Sequence, residues 1–167
     1  MANPKKPTEK KNTFGFDVID SDIYAVLRTF KAMDKIASED LRKVATELAQ
    51  EAADAIQNAA SFNGRQASAL ASTVKVARDR IPKITIGGEQ SITSSGAKAG
   101  DILIGAEFGS YRYKQFPTRS PQSPTGKGNL GYFIFPTLKM LQPRIKAKWV
   151  EGIDKIREEW KGRAVSG

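Results

Sequence analysis

The chain has 167 residues, and none of them is cysteine or histidine. Without cysteine it can form no disulfide, no thiolate zinc site and no cysteine nucleophile. Without histidine it lacks the commonest general base and the commonest transition-metal ligand, so a catalytic triad of the usual composition is excluded. We predict no cofactor and no metal. Carboxylate or lysine chemistry stays open.

Long apolar runs are also missing. No stretch reaches the roughly 18 consecutive apolar residues that a membrane-spanning helix needs. Lysines stand near the N-terminus, but no apolar segment follows them as it would in a secretory signal. We therefore expect no membrane partner, and a chain that is made in the cytoplasm and stays there or is built into a particle there.

Positive charge is in excess, because 27 Lys and Arg face 18 Asp and Glu and leave a formal net charge of +9. A strongly basic chain can meet nucleic acid, an acidic membrane surface or an acidic protein. Alternatively, part of this charge lies in a solvated tail. The length is enough for one domain with a real core.

Residues 1–18 begin with lysines and prolines and predict a disordered basic arm. The arm either orders on a neighbouring protein or on phosphates, with Phe14 and Phe16 as anchors, or it is a solubilising tail.

Three helices are predicted next, at about 20–36, 38–62 and 66–80, from apolar residues repeating every three or four positions. Ser38 is the expected cap of the second helix, and Asn63-Gly64 its end. The alanines of its apolar stripe suit either a core seam or a subunit contact.

Strands are predicted at 82–87, 90–94, 101–107 and 131–135. A long amphipathic helix follows from Pro136 to about residue 160, with Pro143 as a kink or restart point. Together these elements give an α+β fold: N-terminal helices, a small, mainly antiparallel sheet of three or four strands, and a long C-terminal amphipathic helix. We expect a single domain over 19–162 with a long loop at 109–130, then a frayed tail at 163–167.

Glu107-Phe108-Gly109 follows the third predicted strand. A carboxylate beside an aromatic ring could be a general acid with a raised pKa, but carboxylate chemistry usually needs a partner and none lies nearby in sequence. The structural interpretation is that Gly109 allows a turn with positive φ, Phe108 packs inward and Glu107 pairs with an arginine or lysine.

The segment 111–128 is rich in cations and aromatic residues and contains no acid. Such a segment can grip phosphates and stack on bases, or it can be a protein-contact loop, which we favour. The candidate contacts to a subunit or another protein are Phe14, Phe16, Phe108, Gly109, Tyr111, Tyr113 and Phe116. The candidate contacts to phosphate or an acidic partner are Arg112, Lys114, Arg119 and Lys127.

The order of these motifs resembles the tail-completion (head–tail connector) proteins of long-tailed double-stranded DNA phages. The matching pieces are Glu107-Phe108-Gly109, Phe133-Ile134-Phe135-Pro136 and the segment 77–82, Ala-Arg-Asp-Arg-Ile-Pro. The resemblance covers roughly residues 40–150. Two features depart from the family pattern: the N-terminal arm is more basic, and the loop between Gly109 and Phe133 is long.

The resemblance implies a structural virion protein without enzymatic activity. It would be a homo-oligomer, a ring of about six subunits around the DNA channel at the phage neck, formed by head-to-tail contacts. Its partners would be other neck and tail proteins, with DNA passing through the ring. The alternatives are a basic nucleic-acid-binding module or assembly factor, and a hydrolase, which would require chemistry at Glu107.

Overall fold

A computed structural model of the chain describes residues 13–17, 35–77, 82–110, 112–116 and 131–165. Within them lie three strands and four helices. The strands are β1 (Thr13–Asp17), β2 (Lys75–Ala77) and β3 (Lys83–Gly87). The helices are α1 (Lys35–Phe62), α2 (Arg65–Ala71), α3 (Ala99–Phe108) and α4 (Ile134–Val165). The described residues are mostly helical with a small antiparallel sheet, which confirms an α+β fold with a long last helix.

The two long helices, α1 and α4, pack against each other in antiparallel fashion. Lys148 of α4 donates a hydrogen bond to Glu51 of α1, and Gly152 of α4 lies against Val44 of α1. Later residues of α4 therefore lie beside earlier residues of α1. The α4 residues that face α1 are apolar and buried: Leu141, Ile145, Trp149 and Ile156. Burying side chains of this size stabilises the fold by roughly 1.5–3 kcal/mol each.

The alanines of α1 form a core seam. Ala49, Ala52 and Ala60 are fully buried within the subunit. Small side chains let neighbouring elements approach α1 closely, and α2 packs against its C-terminal half. Of the two interpretations of this stripe, the core seam is the one that the structure bears out. Ser38 lies inside α1, which begins at Lys35, so it is not the cap that was predicted.

The sheet has the strand order β1-β3-β2, and both pairings are antiparallel. Phe14 lies opposite Ile86 and Phe16 opposite Ile84, so part of the predicted arm is the edge strand β1. The prediction of disorder is therefore wrong for 13–17. The rest of the arm, and the helix predicted at about 20–36 up to residue 34, lie outside the described residues.

Apart from β1, the predicted and observed elements differ at 75–77, 90–94, 101–107 and 131–135. β3 agrees with the strand expected at 82–87. Residues 90–94 belong to a hydrogen-bonded turn whose only pairing in the described chain is a single bridge, Ser91 to Lys98. Residues 75–77 form strand β2, although a helix was predicted as far as residue 80. Val74 and Val76 are β-branched and favour a strand. In addition, Thr73 Oγ1 accepts a hydrogen bond from the Gly87 amide at the end of β3.

Residues 101–107 form helix α3, not a strand. A continuous apolar run does not separate strand from buried helix by its pattern. The burial repeats at Ile102, Leu103 and Ala106 while Ile104 is 42% exposed, which is a helical spacing. Asp101 in the first turn favours the helix dipole.

The predicted strand at 131–135 is wrong as well. Gly131 to Phe133 form a connection and α4 begins at Ile134, so Pro136 lies in its first turn as expected. The helix continues through Pro143 without a restart and reaches Val165, beyond the start of the predicted frayed tail.

Candidate functional site

The C-terminal end of α3 and the N-terminal end of α4 meet at one point of the molecule. Helix α3 ends because Gly109 adopts φ 74°, and its amide donates to the carbonyl of Gly105 at 2.8 Å. Glycine adopts a positive φ without the steric cost that a Cβ would bring. The positive φ predicted for Gly109 is thus confirmed. The turn leaves Glu107, one residue before the end of α3, facing the start of α4.

The carboxylate of Glu107 caps α4. Its Oε2 accepts the amides of Phe133 and Ile134 at 3.1 and 3.0 Å, and its Oε1 accepts the amide of Phe135 at 3.1 Å. An α-helix leaves its first four N–H groups without intrahelical partners. Glu107 takes three of these, and the fourth residue, Pro136, has no N–H. All four positions are therefore accounted for.

The predicted pairing of Glu107 with an arginine or lysine is wrong. Its partners are backbone amides, and its side chain is fully buried. Loss of hydration raises the pKa of this carboxyl above its usual value of 4.5, while the amides of Ile134, Phe135, Phe133 and Tyr132 oppose the rise. Hydrogen bonds to a charged acceptor stabilise by roughly 1.5–3 kcal/mol each, and here they offset part of the cost of burial.

Two further residues hold the connection that precedes α4. Gly131 has φ 82°, and a Cβ at this position would lie 2.1 Å from Oε1 of Glu107. On the other side, Asn63 at the α1–α2 junction donates from Nδ2 to the carbonyl of Tyr132 at 2.6 Å. The start of α4 is therefore fixed by the Glu107 carboxylate of α3, which accepts hydrogen bonds, and by the Asn63 side chain at the end of α1, which donates one.

Phe108, Ser110 and residues 112–116 lie beside the start of α4. The Phe108 ring is half-buried and lies 5.7 Å from that of Phe135, which is itself 40% exposed, so Phe108 packs inward only in part. Ser110 donates its amide to the Phe116 carbonyl at 2.8 Å, and its Oγ accepts the amides of Arg112 and Tyr113. The Phe116 ring covers Gly105, where a Cβ would lie 2.6 Å from it.

The middle of this turn is exposed. Arg112, Tyr113 and Lys114 face solvent, and we call these three residues the tip. Tyr113 is 51% exposed, and the Arg112 guanidinium lies 5.4 Å from the centre of its ring. Because Phe116 and Ser110 anchor both ends of the turn, the tip is a fixed projection that presents two cations and one aromatic ring.

A groove of about 330 Å³ lies next to the turn. The α1–α2 junction, α3 and the turn form its walls, with Asn63, Arg65, Gly105, Phe116 and Tyr132 among the lining residues. The groove is lined mainly by carbon atoms and amides. It contains no acid–base pair among its described lining residues.

The structure places the predicted contact residues in different surroundings. Phe116 is buried within the subunit, so in this conformation it supports the tip and does not itself face a partner. Phe14 and Phe16 lie in β1, while Arg112, Tyr113 and Lys114 are brought together in the tip. Tyr111, Arg119 and Lys127 lie outside the described residues.

A catalytic role for Glu107 finds no support in this geometry. Both of its oxygens are occupied by backbone amides, and its side chain has no exposed surface. A substrate therefore has no path to the carboxylate while the cap is formed. In the described part of the chain, no three carboxylates come together in a way that could hold a metal ion. No described helix is both long enough and apolar enough to cross a membrane.

Asn63, Ser110, Gly105 and Gly131 are structural determinants of the site that the sequence patterns did not identify. One signal was available for the cap of α4. The residues before Ile134 are Tyr132 and Phe133, and neither can accept a backbone amide in the way that Ser, Thr, Asp or Asn does. A long helix that begins without a local cap needs an acceptor from elsewhere in the chain.

Comparisons with protein-family models, with curated proteins and with solved structures give no match for this chain. The family resemblance therefore rests on the residues quoted above and on how they are arranged.

Proposed function

We infer that the protein is a structural subunit of a ring at the head–tail junction of a long-tailed phage. The observation that carries this proposal is the cap between Glu107 and the amides of Phe133, Ile134 and Phe135. Two of the three pieces that carry the resemblance, Glu107-Phe108-Gly109 and Phe133-Ile134-Phe135-Pro136, are far apart in sequence, yet Glu107 of the first caps the helix that begins in the second. The carboxylate fixes the start of a helix, so its observed use is structural.

The arrangement of charge supports the same proposal. Arg144 and Lys148 of α4 both pair with Glu51 of α1, so part of the basic character is used inside the subunit. The tip is one described surface that is both basic and aromatic, and it is suited to a protein contact. Rings form when such a projection meets a different surface of the next copy.

Peptide quantification in density-purified particles tests the proposal. We expect this chain at a low fixed ratio to the major capsid protein, near six copies or a small multiple, as ring symmetry requires. A capsid protein of known copy number is the internal standard. Absence of the chain from intact, infectious particles would contradict the proposal.

A nucleic-acid-binding module is the second candidate, favoured by the net charge of +9 and the exposed Arg112 and Lys114. Binding through phosphates loses affinity steeply with salt, because each contact releases counterions. A titration of duplex DNA at several salt concentrations separates the two candidates. A steep salt slope that is reduced in Arg112→Ala and Lys114→Ala would favour this second function.

A further inference from the structure

Helix α4 carries a second apolar stripe on the side that faces away from α1. Its members are exposed and follow one another at helical spacing: Met140, Pro143, Ala147 and Val150. Met140 is 72% exposed and Val150 is 51% exposed. The inward stripe of Leu141, Ile145 and Trp149 lies on the opposite side, because positions separated by half a turn point in opposite directions. We call the surface from Met140 to Asp154 the outer face.

The outer face is acidic at its C-terminal half. Glu151 and Asp154 border the depression that Pro143, Ala147 and Val150 line, and Lys146 borders the same depression nearer its N-terminal end. Asp154 lies 3.6 Å from Arg157, and both side chains are more than half exposed, so this pair is weak. Glu151 forms no ion pair within the described residues. The half of the outer face around Val150 therefore combines apolar surface with two carboxylates.

The tip has the complementary chemistry. It places Tyr113 between Arg112 and Lys114, so that an aromatic ring is flanked by two cations. An aromatic side chain can cover Val150 and Ala147 while the cations approach Glu151 and Asp154. Complementary charges around an apolar centre give an interface its register and its specificity.

The tip cannot reach the outer face of its own subunit. It is anchored to α3 through Phe116 and Gly105, and α3 ends where α4 begins. Val150 lies sixteen positions after Ile134, which is about 24 Å along a helix. Only five residues separate Ser110 from Phe116, the two residues that anchor the ends of the turn. The contact therefore has to be made with another copy.

We propose that the tip of one subunit docks on the outer face of α4 in a neighbouring copy, Tyr113 against Ala147 and Val150, Arg112 and Lys114 against Glu151 and Asp154. This inference rests on the proposed ring function and names its subunit interface. The contact joins two different surfaces, so it is heterologous and leads to a closed ring when the rotation between copies closes.

Paired charge reversal tests the contact. The tip variant is Arg112→Glu with Lys114→Glu, and the face variant is Glu151→Lys with Asp154→Lys. Each places like charges together, and we expect each to weaken self-association about 100-fold in sedimentation velocity and native mass spectrometry. An equimolar mixture of the two variants should assemble again, because the reversed tip then meets the reversed face. No structural defect in either variant can produce that recovery.

Glu47→Lys with Glu89→Lys is the matched control. Both side chains are exposed acids away from the outer face, and the variant carries the same change in charge as the face variant. It should assemble like the unaltered chain. Circular dichroism establishes that each variant is folded before association is measured.

Three outcomes would overturn the proposal. The first is an unaltered chain that stays monomeric at high concentration, and the second is association that both reversed variants retain. The third is a tip variant that loses DNA binding but assembles normally, since the tip would then contact nucleic acid. The particle quantification described above is independent of all three. A chain present in particles but assembling through other residues would leave the ring function standing and remove this interface.

Discussion

Gly131 lies against the carboxylate of Glu107, so close that a Cβ atom on Gly131 would be 2.1 Å from Oε1. The glycine also has φ 82°, in the left-handed region. Position 131 therefore requires glycine for two separate reasons. The backbone conformation is one that other residues adopt only with strain, and a side chain would occupy the space of the Glu107 carboxylate. Each demand can be measured on its own.

Gly131→Ala should lower the free energy of unfolding by about 2–4 kcal/mol. Left-handed strain accounts for about 1–2 kcal/mol of this. Displacement of the carboxylate from its amides accounts for the rest, about 1–2 kcal/mol. Urea denaturation followed by circular dichroism measures the change.

Gly96→Ala is the matched control for that measurement. Gly96 has φ 79°, and a Cβ there would meet nothing within 4 Å. It should show the strain alone, about 1–2 kcal/mol. Equal losses at the two positions would mean that the contact with Glu107 contributes nothing to the demand for glycine.

Removal of the cap itself should be among the most damaging changes in the chain. Glu107→Ala leaves three amides at the start of α4 without an acceptor, and we expect a loss of about 3 kcal/mol. Glu107→Gln keeps one carbonyl acceptor but turns an NH₂ group toward N–H donors, so its loss should be about 2 kcal/mol. Thermal unfolding should shift down by about 6–12 °C for the alanine variant. Glu89→Ala, at an exposed glutamate, should stay within about 0.5 kcal/mol of the unaltered chain.

The architecture was predictable where a single periodicity dominates. The α4 stripe, the α1 stripe and strand β3 follow from spacing alone, because in each case the buried residues repeat with one period. The first turn of α4 was placed correctly through Pro136, whose fixed φ and missing amide suit that position.

The cap was not predictable in the same way. Glu107 reaches Ile134 across 27 positions of sequence, and local patterns carry no information on contacts at that distance. A strand was expected at 101–107 from a continuous apolar run, and at 131–135 because its residues have high strand propensity. Tertiary contacts make both segments helical or part of a helix start. In α3 the buried residues repeat at helical spacing. In the segment after Gly131, the backbone amides are accepted by Glu107 and not by a neighbouring strand.

Acid should favour the folded state through Glu107. Its pKa is raised above 4.5 by burial, so between 4.5 and that raised value the folded chain binds more protons than the unfolded chain. The contribution of this group to stability is therefore fully present below about pH 4.5 and is lost as the pH rises through the raised pKa. Carboxyl NMR of the labelled glutamates measures the pKa directly.

Variant stabilities between pH 4 and 7 check the same sign. The stability of the unaltered chain relative to Glu107→Gln should fall as the pH rises. Glu51 provides the opposite case, because its hydrogen bond to Lys148 lowers its pKa, so its contribution is lost as the pH falls. A Glu107 pKa at or below 4.5 would show that the amide hydrogen bonds outweigh the loss of hydration.

Gly105 should resist substitution although it lies within helix α3. Alanine normally stabilises a helix interior by about 1 kcal/mol relative to glycine. At Gly105 a Cβ would lie 2.6–2.8 Å from three atoms of the buried Phe116 ring, so the ring would have to move and the tip would lose its anchor. We expect Gly105→Ala to destabilise the fold by about 1–3 kcal/mol and to speed tryptic cleavage after Arg112 and Lys114.

Gly162→Ala is the control within α4, where a Cβ would meet nothing within 4 Å, and it should stabilise by up to about 1 kcal/mol. If Gly105→Ala stabilises the chain as Gly162→Ala does and leaves cleavage in the turn unchanged, then Phe116 does not hold the tip in place.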